Sequence, residues 1–416
     1  MSLPLPAPLS AEDTIGPYYP IGFVDDFSSD LTVPKKGIVC KPRGQAIVLT
    51  ARLLDKHGES IPAALVEFWQ ANAEGRYRTG DNAADPGLDP NLHGFGRLRT
   101  SGERFEYRTV KPGKSGDRAP HISIMIFCDG ISRVTTQIFF DDEAEDNARD
   151  PLLVSLPEGE RKLLVARRVS GASDAIHYAL DIVLSGEGET PFFDDVALPG
   201  DTTSRTLRAG ETDMAADARV PVEALRAIPE GLVDSFTPCY PDPPGLRRGE
   251  DDLTRIGPGR PQAEGETAVV RGKVTDQHGN PLPDVLMEIW NANPHGRYTH
   301  VDDPAEQPLD PFFYGFGRVL TDEDGNYEFS TIRPGAYLAR ADIGRYRPAH
   351  VHFSLIGGRS RLITQMYFEG DPHLERDPAY SVLGDRASQK RQVARQGTDG
   401  VYRFDIVMRS VEPPKS

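Results

Sequence analysis

The sequence is poor in cysteine, in basic charge and in long apolar runs, and each shortage excludes a class of protein. Its three cysteines, Cys40, Cys128 and Cys239, are too few and too irregularly spaced for a disulfide framework or a cysteine zinc site. The net charge of −16 argues against nucleic-acid binding, which normally uses a basic surface. No run approaches the roughly 18 apolar residues that cross a membrane, and the first residues carry no secretory signal. We therefore expect a cytoplasmic protein without a nucleic-acid or membrane partner.

Helical patterns are also scarce, whereas turn-forming residues are abundant. The chain contains 40 glycines and 36 prolines, which separate short runs of β-branched and aromatic residues. This alternation is typical of an all-β protein with many turns. Only residues 158–169 and 222–227 are candidates for short helices.

The chain contains the same pattern twice. Residues 65–78 (LVEFWQANAEGRYR) match residues 286–299 (LMEIWNANPHGRYT) at an offset of 221 residues, and GFGR recurs at the same offset. A period this long is far outside the 20–50 residues of solenoid repeats. It predicts two homologous β-sandwich domains, residues 1–199 and 235–416, joined by a polar linker at residues 200–234.

The second copy contains a candidate metal site that the first copy lacks. His350 and His352 are two residues apart, so on a strand their side chains share one face. Such a pair alone is at least as often structural, and a single tyrosine is more often a core or turn aromatic. Tyr298 and Tyr337 add two phenols, and anionic phenolate together with imidazole suits Fe(III) better than Zn²⁺ or Fe(II).

Taken together, these motifs resemble the intradiol ring-cleaving dioxygenases. The resemblance rests on W-x-A-N-x-x-G-R-Y, P-G-x-Y and R-P-A-H-x-H-F, and it covers nearly all of residues 265–410. The second half is similar to the β chains of protocatechuate 3,4-dioxygenases. The first half is similar to their α chains, through T-x-G-P-Y at residues 14–18 and GEGETPFF at residues 186–193.

The resemblance implies a cofactor, a reaction and an assembly. One non-haem Fe(III) would be bound by Tyr298, Tyr337, His350 and His352. The substrates would be a catechol and O2, and the ring would be cleaved between its two hydroxyls to a cis,cis-muconate. The fused α-like and β-like chains would form a homo-oligomer.

The resemblance also implies roles for other residues. Tyr337 would accept a substrate proton, Arg347 would stabilise developing negative charge, and Gln365 would lie behind the ligands. The substrate pocket would be lined by Thr14, Gly16, Pro17 and Tyr18. The simpler interpretations are a structural ion pair for Arg347, a buried hydrogen bond for Gln365 and a packing turn for residues 14–18.

The first copy retains only part of the ligand set. Tyr77 and His121 are present, but Ser123 stands in place of the second histidine, and Lys114 or Ser115 stands in place of the second tyrosine. Two ligands cannot hold Fe(III) firmly, so we predict that the first half binds no metal.

Three functional hypotheses remain open. The first is cleavage of protocatechuate, but Asp129 stands where the resemblance implies an arginine near the substrate carboxylate. The second is the same chemistry on hydroxyquinol or another substituted catechol. The third is an inactive, transthyretin-like binding module, which the complete ligand set disfavours.

Overall fold

A computed structural model of the chain resolves into two compact units. One comprises Ile21–Asp242, and the other combines Met1–Pro20 with Pro243–Ser416. The structure describes residues 7–24, 28–33, 41–78, 82, 85–128, 131–169, 174–195, 218–238, 240, 246–357, 359–381 and 386–410. Among these residues no helix is long and apolar enough to cross a membrane.

In its described residues, the first unit has ten strands in one continuous sheet. Its hydrogen-bonded order is β3-β2-β5-β6-β7-β8-β1-β4, and β9 pairs with both β6 and β10. The strands are β1 Ala46–Leu54, β2 Leu65–Gln70, β3 Phe95–Arg99, β4 Phe105–Val110, β5 His121–Cys128, β6 Ile131–Phe140, β7 Val165–Val169, β8 Ile176–Val183, β9 Phe193–Asp194 and β10 Arg226–Ala227.

The α-helices in the described part of the first unit are single turns of four or five residues. The candidate helix at 158–169 is helical only at its start, because Val165–Val169 joins the sheet as β7, between β6 and β8. The candidate helix at 222–227 is wrong, because Arg226–Ala227 pairs with β9. The α-helices are α1 Ile21–Val24, α2 Ala144–Asn147, α3 Pro151–Ser155, α4 Glu158–Arg161 and α5 Val233–Phe236, and the 3-10 turns are Asp141–Glu143 and Lys162–Leu164.

The second unit repeats this topology. Its sheet runs β13-β12-β17-β18-β19-β20-β11-β14, and β21 also pairs with β11. The strands are β11 Thr267–Asp276, β12 Leu286–Trp290, β13 Phe316–Leu320, β14 Asn326–Ile332, β15 Tyr337–Arg340, β16 Arg345–Arg347, β17 His350–Gly357, β18 Ser360–Phe368, β19 Val393–Gln396, β20 Tyr402–Arg403 and β21 Ile406–Met408. The helical turns are the 3-10 turns Ala341–Ile343 and Leu374–Arg376 and the α-helices α6 Pro378–Ser381 and α7 Arg386–Arg391.

Each unit is an all-β domain, but its sheet is nearly closed and barrel-like, which corrects the expected pair of separate sandwich layers. In the first unit, β7 pairs with β6 on one side and β8 on the other, so it joins the two halves of the sheet. The second unit uses β19 in the same way, between β18 and β20. Each unit contains a large cluster of buried apolar side chains from its sheet.

The division of the chain differs from the expected boundaries at both domain starts. Residues 7–20 lie on the second unit, where Asp13 donates its backbone N–H to Ile363 and Thr364 Oγ1 donates to Ala11. Residues 218–238 lie on the first unit, partly as β10 and α5. The remainder of the expected linker, residues 200–217, is outside the described residues.

Candidate metal centre

Three of the four expected ligands converge in the second unit. The phenol oxygen of Tyr298 lies 3.1 Å from His350 Nε2 and 3.1 Å from His352 Nε2. The two histidine Nε2 atoms are also 3.1 Å apart. Donor atoms that bind one metal at right angles, each about 2.0–2.1 Å away, lie about 2.9 Å from each other. The triangle therefore has the dimensions of three adjacent ligands on a single metal ion.

Strand geometry places the two histidines. Both lie on β17 and point to the same face because side chains alternate along a strand. His350 Nδ1 lies 2.7 Å from the carbonyl oxygen of Pro348, to which it donates. That hydrogen bond fixes the tautomer and leaves the Nε2 lone pair directed into the triangle.

A glycine turn places the two tyrosines. Gly296 precedes Tyr298 with φ +78°, and a Cβ at this position would lie 2.7 Å from the Cβ of Tyr337. Only glycine allows this left-handed turn to approach Tyr337 so closely. Tyr337 hydrogen-bonds with Tyr298, and their rings are perpendicular at a centroid distance of 5.8 Å. The Tyr337 ring also lies 5.8 Å from that of His350, so the fourth expected ligand adjoins two of the other three.

Burial keeps Tyr298, His350 and His352 neutral when no metal is bound. It raises the pKa of Tyr298 well above its usual value, and the neighbouring Tyr337 raises it further. Burial lowers the pKa of His350 and His352 well below the usual value, and nearby positive charge on Arg347 adds to the effect. Neutral imidazoles can bind a metal directly, whereas the phenols require the charge of a metal cation to ionise.

Arg347 is held by a buried ion pair beside the histidines. Its Nε donates to Asp377 at 2.9 Å, and its Nη2 donates to Gln365 at 2.6 Å. Arg347 also pairs with Tyr337 in the two-stranded sheet β15-β16. A fixed guanidinium therefore adjoins the ligand set.

The N-terminal segment lies against the same cluster. A Cβ on Gly16 would be 3.4 Å from His352 Cε1, and the Tyr18 ring centroid is 4.9 Å from that of Tyr298. Thr14 is buried and Pro17 is exposed. The structure therefore brings Gly16 and Tyr18 to the ligands.

No local sequence pattern indicates the residues that hold this segment. The Tyr19 hydroxyl donates to buried Glu288 at 2.6 Å, and its ring packs edge-on against Trp290. Trp290 in turn stacks on His352 at 4.7 Å with an interplanar angle of 3°. The motif contained Trp290, but only the strand register reveals that it is opposite His352.

In the first unit, hydrogen bonds within the chain replace the expected metal site. Tyr77 and His121 are in contact, with 2.9 Å between the hydroxyl and Nε2. Ser123, however, donates to the carbonyl oxygen of Ser235 at 2.9 Å, and Lys114 forms a surface ion pair with Asp146. Among the described residues of either unit, no group of three or more His, Cys, Asp or Glu side chains forms another metal site.

A family model described as "Dioxygenase" matches residues 15–186 and 243–410, which is most of both units. The chain belongs to the intradiol ring-cleavage dioxygenase family.

Relatives of this dioxygenase include both chain types. The protocatechuate 3,4-dioxygenase β chain of Burkholderia cepacia is 40% identical over 200 residues, covering 46% of this chain and 84% of its own. The α chain of the same organism is 34% identical over 190 residues, covering 44% and 94%. Hydroxyquinol 1,2-dioxygenase of Nocardioides simplex is 34% identical over 169 residues, covering 35% and 55%.

A solved structure of this family also matches. Catechol 1,2-dioxygenase from Acinetobacter sp. ADP1 aligns with 39% of this dioxygenase and 57% of its own chain, at 27% identity and a TM-score of 0.30. The relatives with α-chain and β-chain names agree with the repeat in the sequence, which is a fusion of α-like and β-like halves.

Proposed function

We propose that the protein is an iron(III)-dependent intradiol dioxygenase that converts protocatechuate and O2 to 3-carboxy-cis,cis-muconate. The observation that carries the proposal is the triangle of Tyr298, His350 and His352, with Tyr337 in contact with Tyr298. Two phenols and two imidazoles form a hard, anionic donor set that favours Fe(III). When bound, the ferric ion supplies a Lewis acid that activates the catechol ring for reaction with O2.

The protein side chains would bind and orient the catechol. Tyr337, as phenolate, would be the base that takes one catechol proton on its phenolate oxygen. Arg347 directs fixed positive charge at the ring and stabilises negative charge that develops on it, because its guanidinium is held by Asp377 and Gln365. Thr14, Gly16, Pro17 and Tyr18 form a wall beside the ligands and limit the access of water.

The reaction is tested by oxygen uptake with protocatechuate, catechol and hydroxyquinol, together with identification of the products. We expect a ring-opened product with two new carboxylates from each accepted catechol and the highest kcat/KM with protocatechuate. A preference for hydroxyquinol of more than roughly tenfold, about 1.4 kcal/mol, would exclude the carboxylate assignment. Asp129 lies outside the described residues, so only this measurement decides its effect.

The metal is tested by analysis of the purified protein. We expect about one iron per chain and a visible tyrosinate-to-iron absorption band that Tyr298→Phe removes and Tyr77→Phe leaves. Two irons per chain would contradict the proposal that only the second unit binds metal. A colourless, inactive protein would favour the binding-module alternative.

We further propose that the fused chains form a homo-oligomer. Analytical sedimentation would measure its mass.

A further inference from the structure

A row of three buried side chains crosses the second unit beside the ligands. Trp290 of β12 is paired with His352 of β17, which is paired with Gln365 of β18. Their exposed fractions are 1%, 3% and 0%. Trp290 Nε1, His352 Nδ1 and Gln365 Nε2 have no hydrogen-bond partner among the described residues. Buried polar atoms are rarely left unpaired, so three in one row indicate a common ligand.

The first unit shows what such a row binds. Trp69, Ser123 and Gln137 occupy the same positions in the same register. All three donate to one atom, the carbonyl oxygen of Ser235, at 3.3, 2.9 and 3.2 Å. The row is therefore a set of donors that converge on a single oxygen. In the second unit the side chain at the central position is an expected iron ligand.

We propose that Trp290, His352 and Gln365 form a binding site for one ordered water molecule that orients His352. The inference rests on the proposed function for its role, but not for its existence. Water is the acceptor of the right size, and buried waters typically have two to four polar partners. It also matches the oxygen of Ser235 in polarity and charge.

The water would do for His352 what the Pro348 carbonyl does for His350. Histidines that bind a metal usually donate their other ring N–H to an acceptor, which fixes the tautomer and the ring orientation. For His350 that acceptor is a backbone oxygen at 2.7 Å. For His352 it would be a water held by Trp290 and Gln365, so the Nε2 lone pair faces Tyr298. One histidine is therefore fixed by the backbone and the other by a molecule that can turn or exchange.

A high-resolution crystal structure tests the site directly, with or without metal. We expect an oxygen-sized density peak within hydrogen-bond distance of Trp290 Nε1, His352 Nδ1 and Gln365 Nε2. The proposal is overturned by the lack of a peak, by a halide-sized peak, by a backbone carbonyl at this point, or by a direct bond between Gln365 Nε2 and His352 Nδ1. Because iron content is measured separately, a protein without iron would contradict the proposed function and leave this test intact.

A pair of matched variants tests the role of the water. Trp290→Phe removes one donor and keeps an aromatic ring over His352, and Trp69→Phe makes the same change in the first unit. The readout is the rate at which a chelator removes iron from the loaded protein. We expect Trp290→Phe to lose iron faster, on the order of 10-fold, and Trp69→Phe to match the wild type. Equal rates for all three proteins would contradict the positioning role. If Trp290→Phe does not fold, Gln365→Glu removes the amide donor and keeps an oxygen facing Arg347.

Discussion

At the scale of single residues, the repeat provides an internal control for the buried arginine. Arg347 is bound by Asp377 and Gln365, and Arg118 is bound by Asp150 and Gln137 at the same distances, 2.9 and 2.6 Å. The two arginines therefore share these two interactions, although Arg118 also donates to Ser235 Oγ and Arg347 to the Tyr367 hydroxyl. Only Arg347 lies beside a complete set of expected ligands, so a difference between matched variants measures function.

We predict that Arg347→Lys lowers kcat by about 10²–10³-fold, because an ammonium cannot reproduce the two fixed hydrogen bonds that aim the guanidinium. Iron content should stay near that of the wild type. Arg118→Lys should disturb its own unit to a similar degree in thermal unfolding and leave kcat within about twofold. Equal losses of activity in the two variants would show that Arg347 acts only through a structural ion pair.

His121 makes the stability of the first unit sensitive to acid. Burial, together with the nearby Arg118, lowers the pKa of His121 to about 3, whereas an unfolded histidine titrates near 6.5. As the pH falls, the unfolded state therefore takes up the proton on this histidine before the folded state does. The contribution of neutral His121 to the free energy of unfolding is complete above about pH 6.5. It falls as the pH decreases towards 3, by several kcal/mol at the limit.

We predict that His121→Asn flattens this decline, since asparagine cannot titrate and its amide can still donate to the Ala119 carbonyl. Urea unfolding of the first unit at pH 7 and pH 4.5 gives the measurement. His177→Asn, a partly buried position on β8, is the matched control and should leave the difference between the two pH values unchanged. A decline in the His121 variant equal to that of the wild type would assign the acid sensitivity to other groups.

At the scale of elements, the hairpin β15-β16 determines where two site residues lie. Tyr337 and Arg347 are paired at its base, and the hairpin forms a separate two-stranded sheet. One residue from this base, the Tyr346 ring stacks on His373 with a centroid distance of 5.0 Å and an interplanar angle of 22°. This contact connects the hairpin to the segment that follows β18, so a shift of the hairpin would move the expected ligand Tyr337 and Arg347 together.

We predict that His373→Ala lowers kcat about 3- to 10-fold by loosening this contact, since an aromatic pair contributes about 0.5–1.5 kcal/mol. Amide hydrogen exchange across residues 337–347 should accelerate in the same variant. Ile343→Ala removes an exposed side chain from the same hairpin without touching the stack, and it should change neither quantity. Unchanged exchange in His373→Ala would show that the hairpin is held by other contacts.

Local patterns explain how much of the site the sequence could predict. The spacing of His350 and His352 fixes a shared face, and the repeated motif points to Tyr298. Tyr19 and Ser235 had no such signal, because their roles depend on where a distant segment crosses a sheet. The residues around Val165 were expected to be helical, but two neighbouring strands supply hydrogen-bond partners and override that local preference. The functional roles of the site residues stay predictions until variants are measured.

At the scale of the whole molecule, the first residues of the chain are part of the second unit. Residues 7–20 bring Gly16 to His352 and Tyr19 to Glu288. We predict that a chain starting at residue 21 loses most of its iron and its activity, although the entire first unit remains. Tyr19→Phe should produce a smaller loss of about 1 kcal/mol in the stability of the second unit, because it removes the hydrogen bond to Glu288 and keeps the ring against Trp290. Full activity in the truncated chain would show that the segment is dispensable.

The chain has two tryptophans, and each unit contains one of them. Trp69 is hydrogen-bonded to Ser235 in the first unit, and Trp290 is stacked on His352 in the second. Intrinsic fluorescence therefore provides one emitter for each copy of the repeat. A coloured metal centre would quench the emission of Trp290 more than that of Trp69. Variants that keep only one tryptophan would therefore report metal binding and the thermal unfolding of each unit separately.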